Sequence, residues 1–268
     1  MKIIAAGKTD KGLKRKHNED SLLMAEDLGL FVIADGMGGH KAGEVASRMV
    51  VETMADYWKR VKNNKPPSFL EAIPQDISEN AKHLINSISL SNIIVHEAQK
   101  RPEYHRMGTT VSALLLEKDC IWAGNVGDSP VFLFDQGRLI MVSEEHSMEA
   151  EKKRLGRGDS LVAASPFLKN ILTRVLGLHE KVNVYITPIR PEEGDIILMC
   201  SDGLTNFVSL PSIKSTLSEA TLSLEEKVDI LIESAKEGGG GDNISVILLE
   251  VVQEGKWQKI KERFLSKN

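Results

Sequence analysis

Short apolar runs and longer amphipathic stretches alternate in separate blocks along this 268-residue chain. Apolar residues at helical spacing predict helices over residues 43–58, 69–100 and 211–236. Apolar runs bounded by turn residues predict strands at 2–7, a hairpin within 21–36, several strands within 109–143, two around a turn at 191–195, and a last one at 244–252. Because strands and helices come in consecutive sets, this order favours an α+β fold with mainly antiparallel sheets and helices packed outside them.

No linker divides the chain, which predicts one domain over residues 1–252. Within it, residues 145–172 are charged and weakly periodic, and we expect a surface excursion with a short helix near 149–156. The tail, residues 253–268, is basic and amphipathic, with Trp257, Ile260 and Phe264 on one helical face. Such a tail either packs on the domain or docks on a partner or an acidic surface.

Composition narrows the class of protein. Hydrophobic residues make up 41% of the chain, which is enough for a large core without disulfides. The net charge of −4 argues against a nucleic-acid-binding protein. Cys120 and Cys200 both lie in apolar runs and are expected as buried, reduced thiols. No apolar stretch approaches the ~18 residues of a membrane span, so we expect a cytoplasmic protein.

Acidic residues repeatedly stand where an apolar strand meets a turn of small residues: Asp20 with Glu19 before it, Asp35, Asp128, Asp202 and Asp242. Each alone is typical of an ordinary turn. Together they can converge at one edge of a sheet, where carboxylates repel one another unless cations lie between them. All-oxygen ligands suit Mg²⁺ or Mn²⁺, and a two-metal site can activate water for phosphoryl transfer.

Arg15 precedes the first of these acidic groups by a few residues. A guanidinium can bind two phosphate oxygens at once, which makes Arg15 the candidate phosphate ligand. By itself, Arg15 would be only a solvated loop charge within a basic run.

A joint motif set runs through almost the whole chain: Arg15-x-x-Asn18-Glu19-Asp20-Ser21, ADGMGGH at 34–40, MGTT at 107–110, GNVGDS at 124–129, TRVLG at 173–177, CSDGL at 200–204 and GGGGDNISVI at 238–247. In this order the set resembles the PPM-type (type 2C) metal-dependent serine/threonine protein phosphatases, bacterial branch. The resemblance implies a four-layer α/β/β/α sandwich of two antiparallel sheets flanked by helices. It also implies that residues 145–172 form the family's flap.

The resemblance further implies a metal site of two Mn²⁺ or Mg²⁺ ions. Asp35 would bridge the ions, the Gly36 carbonyl would add a ligand, and Asp202 and Asp242 would complete the first ion's shell. As in bacterial relatives, Asp128 and Asp202 would form a third metal site.

Roles for four further residues follow from the same resemblance. Glu19 and Asp20 would act through metal-bound waters, Asn243 would support that water shell, and Arg15 would hold the substrate phosphate. A metal-bridging water would then attack phosphorus directly, without a phosphoenzyme. The expected substrates are phosphoserine and phosphothreonine proteins, with a serine/threonine kinase as a further partner and a monomer as the default state.

The chain departs from the family pattern at two positions. Pro130 follows GDS where many relatives have arginine, and Met37 stands where animal members have a histidine proposed as general acid. We do not transfer that acid role to the nearby His40, which is expected to be structural, and His146 matches a family position of unclear role.

Three other functions stay open at this point. A catalytically weak or inactive phosphoprotein-binding module on the same fold is the first, although intact acidic ligands argue against it. Another two-metal hydrolase, such as a nuclease, is disfavoured by the acidic balance. A small phosphorylated metabolite as substrate is a milder alternative.

Overall fold

The computed structural model describes residues 1–38, 42–71, 73–156 and 171–252. Its strands are β1 (Lys2–Asp10), β2 (Asp20–Ala25), β3 (Leu30–Met37), β4 (Gly108–Thr109), β5 (Val111–Glu117), β6 (Cys120–Val126), β7 (Val131–Asp135), β8 (Arg138–Met141), β9 (Tyr185–Ile189), β10 (Ile196–Cys200) and β11 (Ile244–Val252). They form two sheets in the orders β1-β11-β10-β7-β8 and β2-β3-β5-β6-β9, with β4 paired to β3. Every pairing within these sheets is antiparallel.

Six α-helices accompany the sheets in the described residues: α1 (Ala42–Lys62), α2 (Glu79–Ala98), α3 (Met148–Arg154), α4 (Asp202–Thr205), α5 (Leu210–Ser218) and α6 (Leu224–Glu237). Short 3₁₀ turns lie at Glu26–Leu28 and Pro102–Tyr104. None of the helices in this part of the chain is long and apolar enough to cross a membrane.

Three apolar layers hold the elements together. One layer joins α1 and α2 to the β2-β3-β5-β6-β9 sheet, and a second joins α4, α5 and α6 to the other sheet. A third layer lies between the two sheets. The predicted four-layer sandwich is therefore confirmed.

The continuous apolar run at the start of β3 is explained by burial of both faces of the strand. Leu30 and Val32 face the layer under α1 and α2, whereas Phe31 and Ile33 face the layer between the sheets. Because alternate side chains point to opposite faces, a strand covered on both sides must be apolar throughout. The first polar side chain of this strand is Asp35, at the end that leaves the core.

Two predicted helices differ from the observed ones. The stretch predicted as a helix over 69–100 becomes helical only at Glu79, because Ser78 accepts the Ala81 N–H (3.2 Å) as an N-cap. The helix predicted over 211–236 is two helices, since Ser223 begins α6 with a capping box. The short helix predicted near 149–156 is α3, but residues 157–170 of the predicted flap and the tail at 253–268 lie outside the described residues.

Candidate active site

All five candidate aspartates lie at one end of the sandwich. Asp20 is the first residue of β2 and pairs in register with Asp35 near the end of β3. Asp128 and Asp202 follow β6 and β10 by two residues, and Asp242 precedes β11 by two. Antiparallel neighbours bring the end of one strand beside the start of the next, so the fold collects these side chains.

A cavity of about 810 Å³ opens at this end of the sheets. Its lining contains most of the predicted site: Arg15, Glu19, Asp35, Gly36, Asp128, Asp202 and Asp242. Two predicted residues, Asp20 and Asn243, are not part of this lining; both are buried directly behind it.

The carboxylates of this cluster disfavour one another's charge. Burial, followed by the charges of Asp20 and Asp202, raises the pKa of Asp35 well above its usual value. Burial likewise raises the pKa of both Asp20 and Asp128 to about 7, with the charge of Asp202 adding to it. A cation placed among these carboxyl groups would favour their ionised form and so offset the repulsion between them.

Two carboxylate oxygens have no hydrogen-bond partner among the described atoms. Asp20 Oδ2 accepts from the hydroxyls of Ser201 (2.8 Å) and Ser245 (2.6 Å), but the buried Oδ1 has no donor. Asp202 Oδ2 accepts from Asn206 Nδ2 (3.0 Å), and its buried Oδ1 is likewise unpartnered. An unpaired buried carboxylate oxygen is costly, and a hard cation or its bound water would satisfy it. The donor set therefore fits Mn²⁺ or Mg²⁺.

Arg15 supplies positive charge at the mouth of the cavity. Its Nη2 lies 2.7 Å from Asp242 Oδ2, and its side chain is half-exposed. In this arrangement no three of the described His, Cys, Asp and Glu side chains are grouped ready to hold an ion. Metal ligation by Asp242 would exchange the guanidinium for the cation.

Asn243 fixes the loop that carries Arg15. Its Nδ2 donates to the carbonyls of Lys11 (2.9 Å) and His17 (3.0 Å), and its Oδ1 accepts the Glu19 N–H (2.8 Å). All three of these hydrogen bonds of the buried amide group therefore go to the backbone of residues 11–19. In the structure Asn243 positions this loop, and no contact to the cavity is seen.

The backbone of Asp35 is held by the threonines of the MGTT motif. The Thr110 N–H donates to the Asp35 carbonyl (2.8 Å), and the Asp35 N–H donates to Thr110 Oγ1 (3.2 Å). Thr109 Oγ1 donates to the same carbonyl (2.8 Å). These bonds fix the strand end from which the Asp35 carboxyl enters the cavity.

Comparison with known proteins gives the same answer as the motifs. The family model described as protein phosphatase 2C matches residues 13–234. The chain belongs to the protein phosphatase 2C family. It is 36% identical to the serine/threonine phosphatase stp of Listeria welshimeri, over 93% of this chain and 97% of that one.

Solved structures extend this likeness to three dimensions. The S. agalactiae serine/threonine phosphatase has a TM-score of 0.81 at 32% identity, over 93% of this chain and 100% of that one. The catalytic domain of PstP in complex with two manganese ions has a TM-score of 0.74 at 28% identity, over 94% and 99%. The predicted family is confirmed, and with it a metal-dependent serine/threonine protein phosphatase.

Among the family motifs, the GNVGDS loop is fastened by the histidine whose role was unclear. His146 is fully buried, its ring Nδ1 accepts the Gly127 N–H (3.0 Å), and its backbone N–H donates to the Gly127 carbonyl (3.0 Å). Burial and the charge of Arg174 lower the pKa of His146 to about 4, so the ring is neutral near pH 7. His146 therefore holds the residue next to Asp128.

The two departures from the family pattern, Pro130 and Met37, leave the arrangement of the aspartates described above in place. The Pro130 carbonyl accepts the Cys200 N–H (3.2 Å), so the missing proline N–H leaves the contact between β7 and β10 intact. Met37 lines the cavity, and His40 lies outside the described residues.

The motif reading did not identify several polar residues that support the aspartates. Ser201 directly precedes Asp202 in sequence, although its hydroxyl supports Asp20. Asn206 follows Asp202 by one helical turn, a spacing that could have revealed the hydrogen bond from the Asn206 amide to the Asp202 carboxylate. Ser245 could not be found this way, because it reaches Asp20 from a strand 225 residues away.

Proposed function

We propose that this chain removes phosphate from phosphoserine and phosphothreonine of other proteins, by direct attack of water on phosphorus in the acidic cavity. One observation carries the proposal. Five aspartates converge beside Arg15, with raised pKa values at Asp20, Asp35 and Asp128 and two unpartnered buried oxygens. Such a cluster suits divalent cations and a phosphate dianion together.

The metal-holding residues in this proposal are those of the cavity. Asp35, the Gly36 carbonyl, Asp202 and Asp242 would hold two ions of Mn²⁺ or Mg²⁺, and Asp128 with Asp202 would hold a third. When bound, these ions supply a lowered pKa for water and positive charge toward the phosphoryl oxygens.

The chain's own groups do the rest. Arg15 binds two phosphoryl oxygens and stabilises the charge that builds up on them during the reaction. Glu19 lines the cavity, and its carboxylate would accept hydrogen bonds from water there and orient it. Asp20 Oδ1 lies buried behind that lining without a donor, and it would accept from a water that penetrates to it. Cys200 is fully buried, and burial raises the pKa of its thiol, so a cysteine-phosphate route is disfavoured.

The remaining predictions extend this proposal. We propose phosphorylated proteins as substrates, a serine/threonine kinase as their opposing enzyme, and a monomer as the working form. The two free thiols, Cys120 and Cys200, support a reducing compartment such as the cytoplasm.

The test is phosphate release from a phosphothreonine peptide with Mn²⁺, with Mg²⁺ and with EDTA. Release is expected with metal and is expected to vanish in EDTA and in Asp202→Asn. Asp56→Asn, an exposed aspartate paired with Lys59 on α1, is the matched control and should keep full activity. Absence of release from folded protein under every metal would shift weight to the phosphoprotein-binding module. Trapping of a radiolabelled phosphoenzyme would refute direct attack by water.

A further inference from the structure

A second, smaller cavity of about 200 Å³ adjoins the catalytic one. The two cavities share three lining residues, Asp128, Asp202 and Asn206. The smaller cavity, called here the side groove, is further lined by Pro130, Phe132, Met141, Glu144, Glu145 and Leu210. It is therefore a continuation of the reaction site along the protein surface.

Apolar side chains from separate elements converge on the side groove. Met141 ends β8 and Leu210 begins α5, and both are large apolar side chains left nearly half exposed, at 45% and 48%. Pro130 and the buried Phe132 add apolar wall between them. Single exposed apolar residues are ordinary, whereas Met141 and Leu210 line the same cavity, as apolar residues of a ligand site do.

The charges around the side groove are acidic or internally paired. Glu144 is neutralised by Arg154, whose Nη1 lies 2.6 Å from Glu144 Oε1. Glu145 remains as an acidic side chain of the lining, whereas Asp128 and Asp202 would face the metal ions of the proposed function. An acidic occupant would be repelled, whereas an apolar side chain beside neutral or basic residues would be accepted.

We propose that the side groove binds one apolar side chain of the substrate protein, within about three residues of the phosphorylated residue. An extended peptide advances about 3.3 Å per residue, so a neighbouring cavity lies within reach of the next few side chains. The volume of about 200 Å³ is below that of a small-molecule pocket and suits a single side chain. This inference rests on the proposed function and adds a substrate class to it: phosphopeptides with an apolar, non-acidic flank.

The test compares phosphothreonine peptides that carry Leu, Ala or Asp at each of the three positions on either side of the phosphorylated residue. At one or two positions, Leu should raise kcat/KM about five- to tenfold over Ala, and Asp should lower it. Met141→Ser and Leu210→Ser should reduce that Leu/Ala ratio to below about twofold. Ile230→Ser removes an exposed apolar side chain (38%) from α6 that does not line the side groove, and it should preserve the ratio.

Two readouts separate this inference from the proposed function. Hydrolysis of p-nitrophenyl phosphate, which has no flanking residues, reports the phosphatase reaction alone. Metal-dependent hydrolysis with equal kcat/KM for Leu and Ala at every position would overturn the side groove and leave the phosphatase intact. If neither the peptides nor p-nitrophenyl phosphate is hydrolysed, binding replaces turnover as the readout. Fluorescence anisotropy of the labelled peptides then measures their affinity for the wild-type protein in EDTA. A Leu preference lost in Met141→Ser supports the side groove, and equal binding of Leu and Ala peptides overturns it.

Discussion

At the scale of single residues, the site depends on side chains that never face the substrate. Asn243 has its amide committed to the backbone of Lys11, His17 and Glu19, and His146 has its ring committed to Gly127. Each of them fixes a loop next to a residue that carries charge in the cavity. Replacing Asn243 or His146 is therefore expected to impair catalysis by letting the neighbouring charged residue move out of position.

Replacing Asn243 with aspartate should loosen the loop that carries Arg15. The carboxylate would face the carbonyls of Lys11 and His17 without a proton to donate, which costs about 1–3 kcal/mol of stability. Because Arg15 then binds phosphate less firmly, KM for a phosphothreonine peptide should rise several-fold, with a smaller fall in kcat. Steady-state kinetics and thermal unfolding measure the two effects.

The control for this substitution is Asn63→Asp, which makes the same chemical change at an exposed position after α1. It should leave both KM and stability unchanged. An Asn243→Asp protein with wild-type KM would show that Arg15 is positioned by something other than this amide.

At the scale of elements, the end of β3 lies unusually close to the beginning of α1. A Cβ atom added at Gly36 would lie 2.2 Å from the Gly43 carbonyl oxygen and 2.6 Å from that of Glu19. Backbone atoms cannot retreat as a flexible side chain can. Only glycine at position 36 lets the Asp35 strand end, the helix and the Glu19 loop meet.

Gly36→Ala should therefore destabilise the protein by about 1–3 kcal/mol and weaken metal binding. Gly137→Ala is the matched control, because Gly137 lies in the β7–β8 turn with φ +76° and with nothing within 4 Å of an added Cβ. The control pays only backbone strain of about 1–2 kcal/mol and should keep its metal dependence. Denaturant unfolding measures the loss of stability in each variant, and Mn²⁺ titration distinguishes the two. Equal metal affinities in both variants would contradict the close-contact explanation.

The elements also show how far the sequence could be read. Strands such as β3 and β11 could be predicted because they are buried on both faces and so read as unbroken apolar runs. The false start of α2 arose because apolar residues before Glu79 continue the helical spacing, whereas the cap at Ser78 decides the boundary. Periodicity reports which face is buried, but only local hydrogen bonds fix where a helix begins.

The same limit applied to the site. The strand-end aspartates were predictable because strand-then-turn is a local pattern. The support of Asp20 by Ser201 and Ser245 was not, since it requires the pairing of β10 with β11 and the approach of β2 across the sandwich. Contacts between distant strands have no local signature in a single sequence.

At the scale of the whole molecule, the sandwich concentrates negative charge at one end of two sheets. Asp20 and Asp128 have pKa values of about 7 in the folded protein, against an ordinary value of 3.8. The folded state thus holds protons that the unfolded chain releases. Their contribution to stability is complete below about pH 3.8 and is lost as the pH rises through 7.

The melting temperature in EDTA should therefore fall by several degrees between pH 5 and pH 8, and Mn²⁺ should restore more stability at pH 8 than at pH 5. The ion binds the ionised carboxylates, so at low pH it must compete with protons, whereas at high pH it relieves their repulsion. Asp128→Asn should flatten the pH dependence in EDTA and reduce the Mn²⁺ effect, whereas the surface control Asp56→Asn should reproduce the wild-type curves. Thermal unfolding across this pH range measures all three proteins. A flat or rising wild-type curve in EDTA, or an equal Mn²⁺ shift at both ends of the range, would mean that the cluster does not store electrostatic repulsion that metal binding relieves.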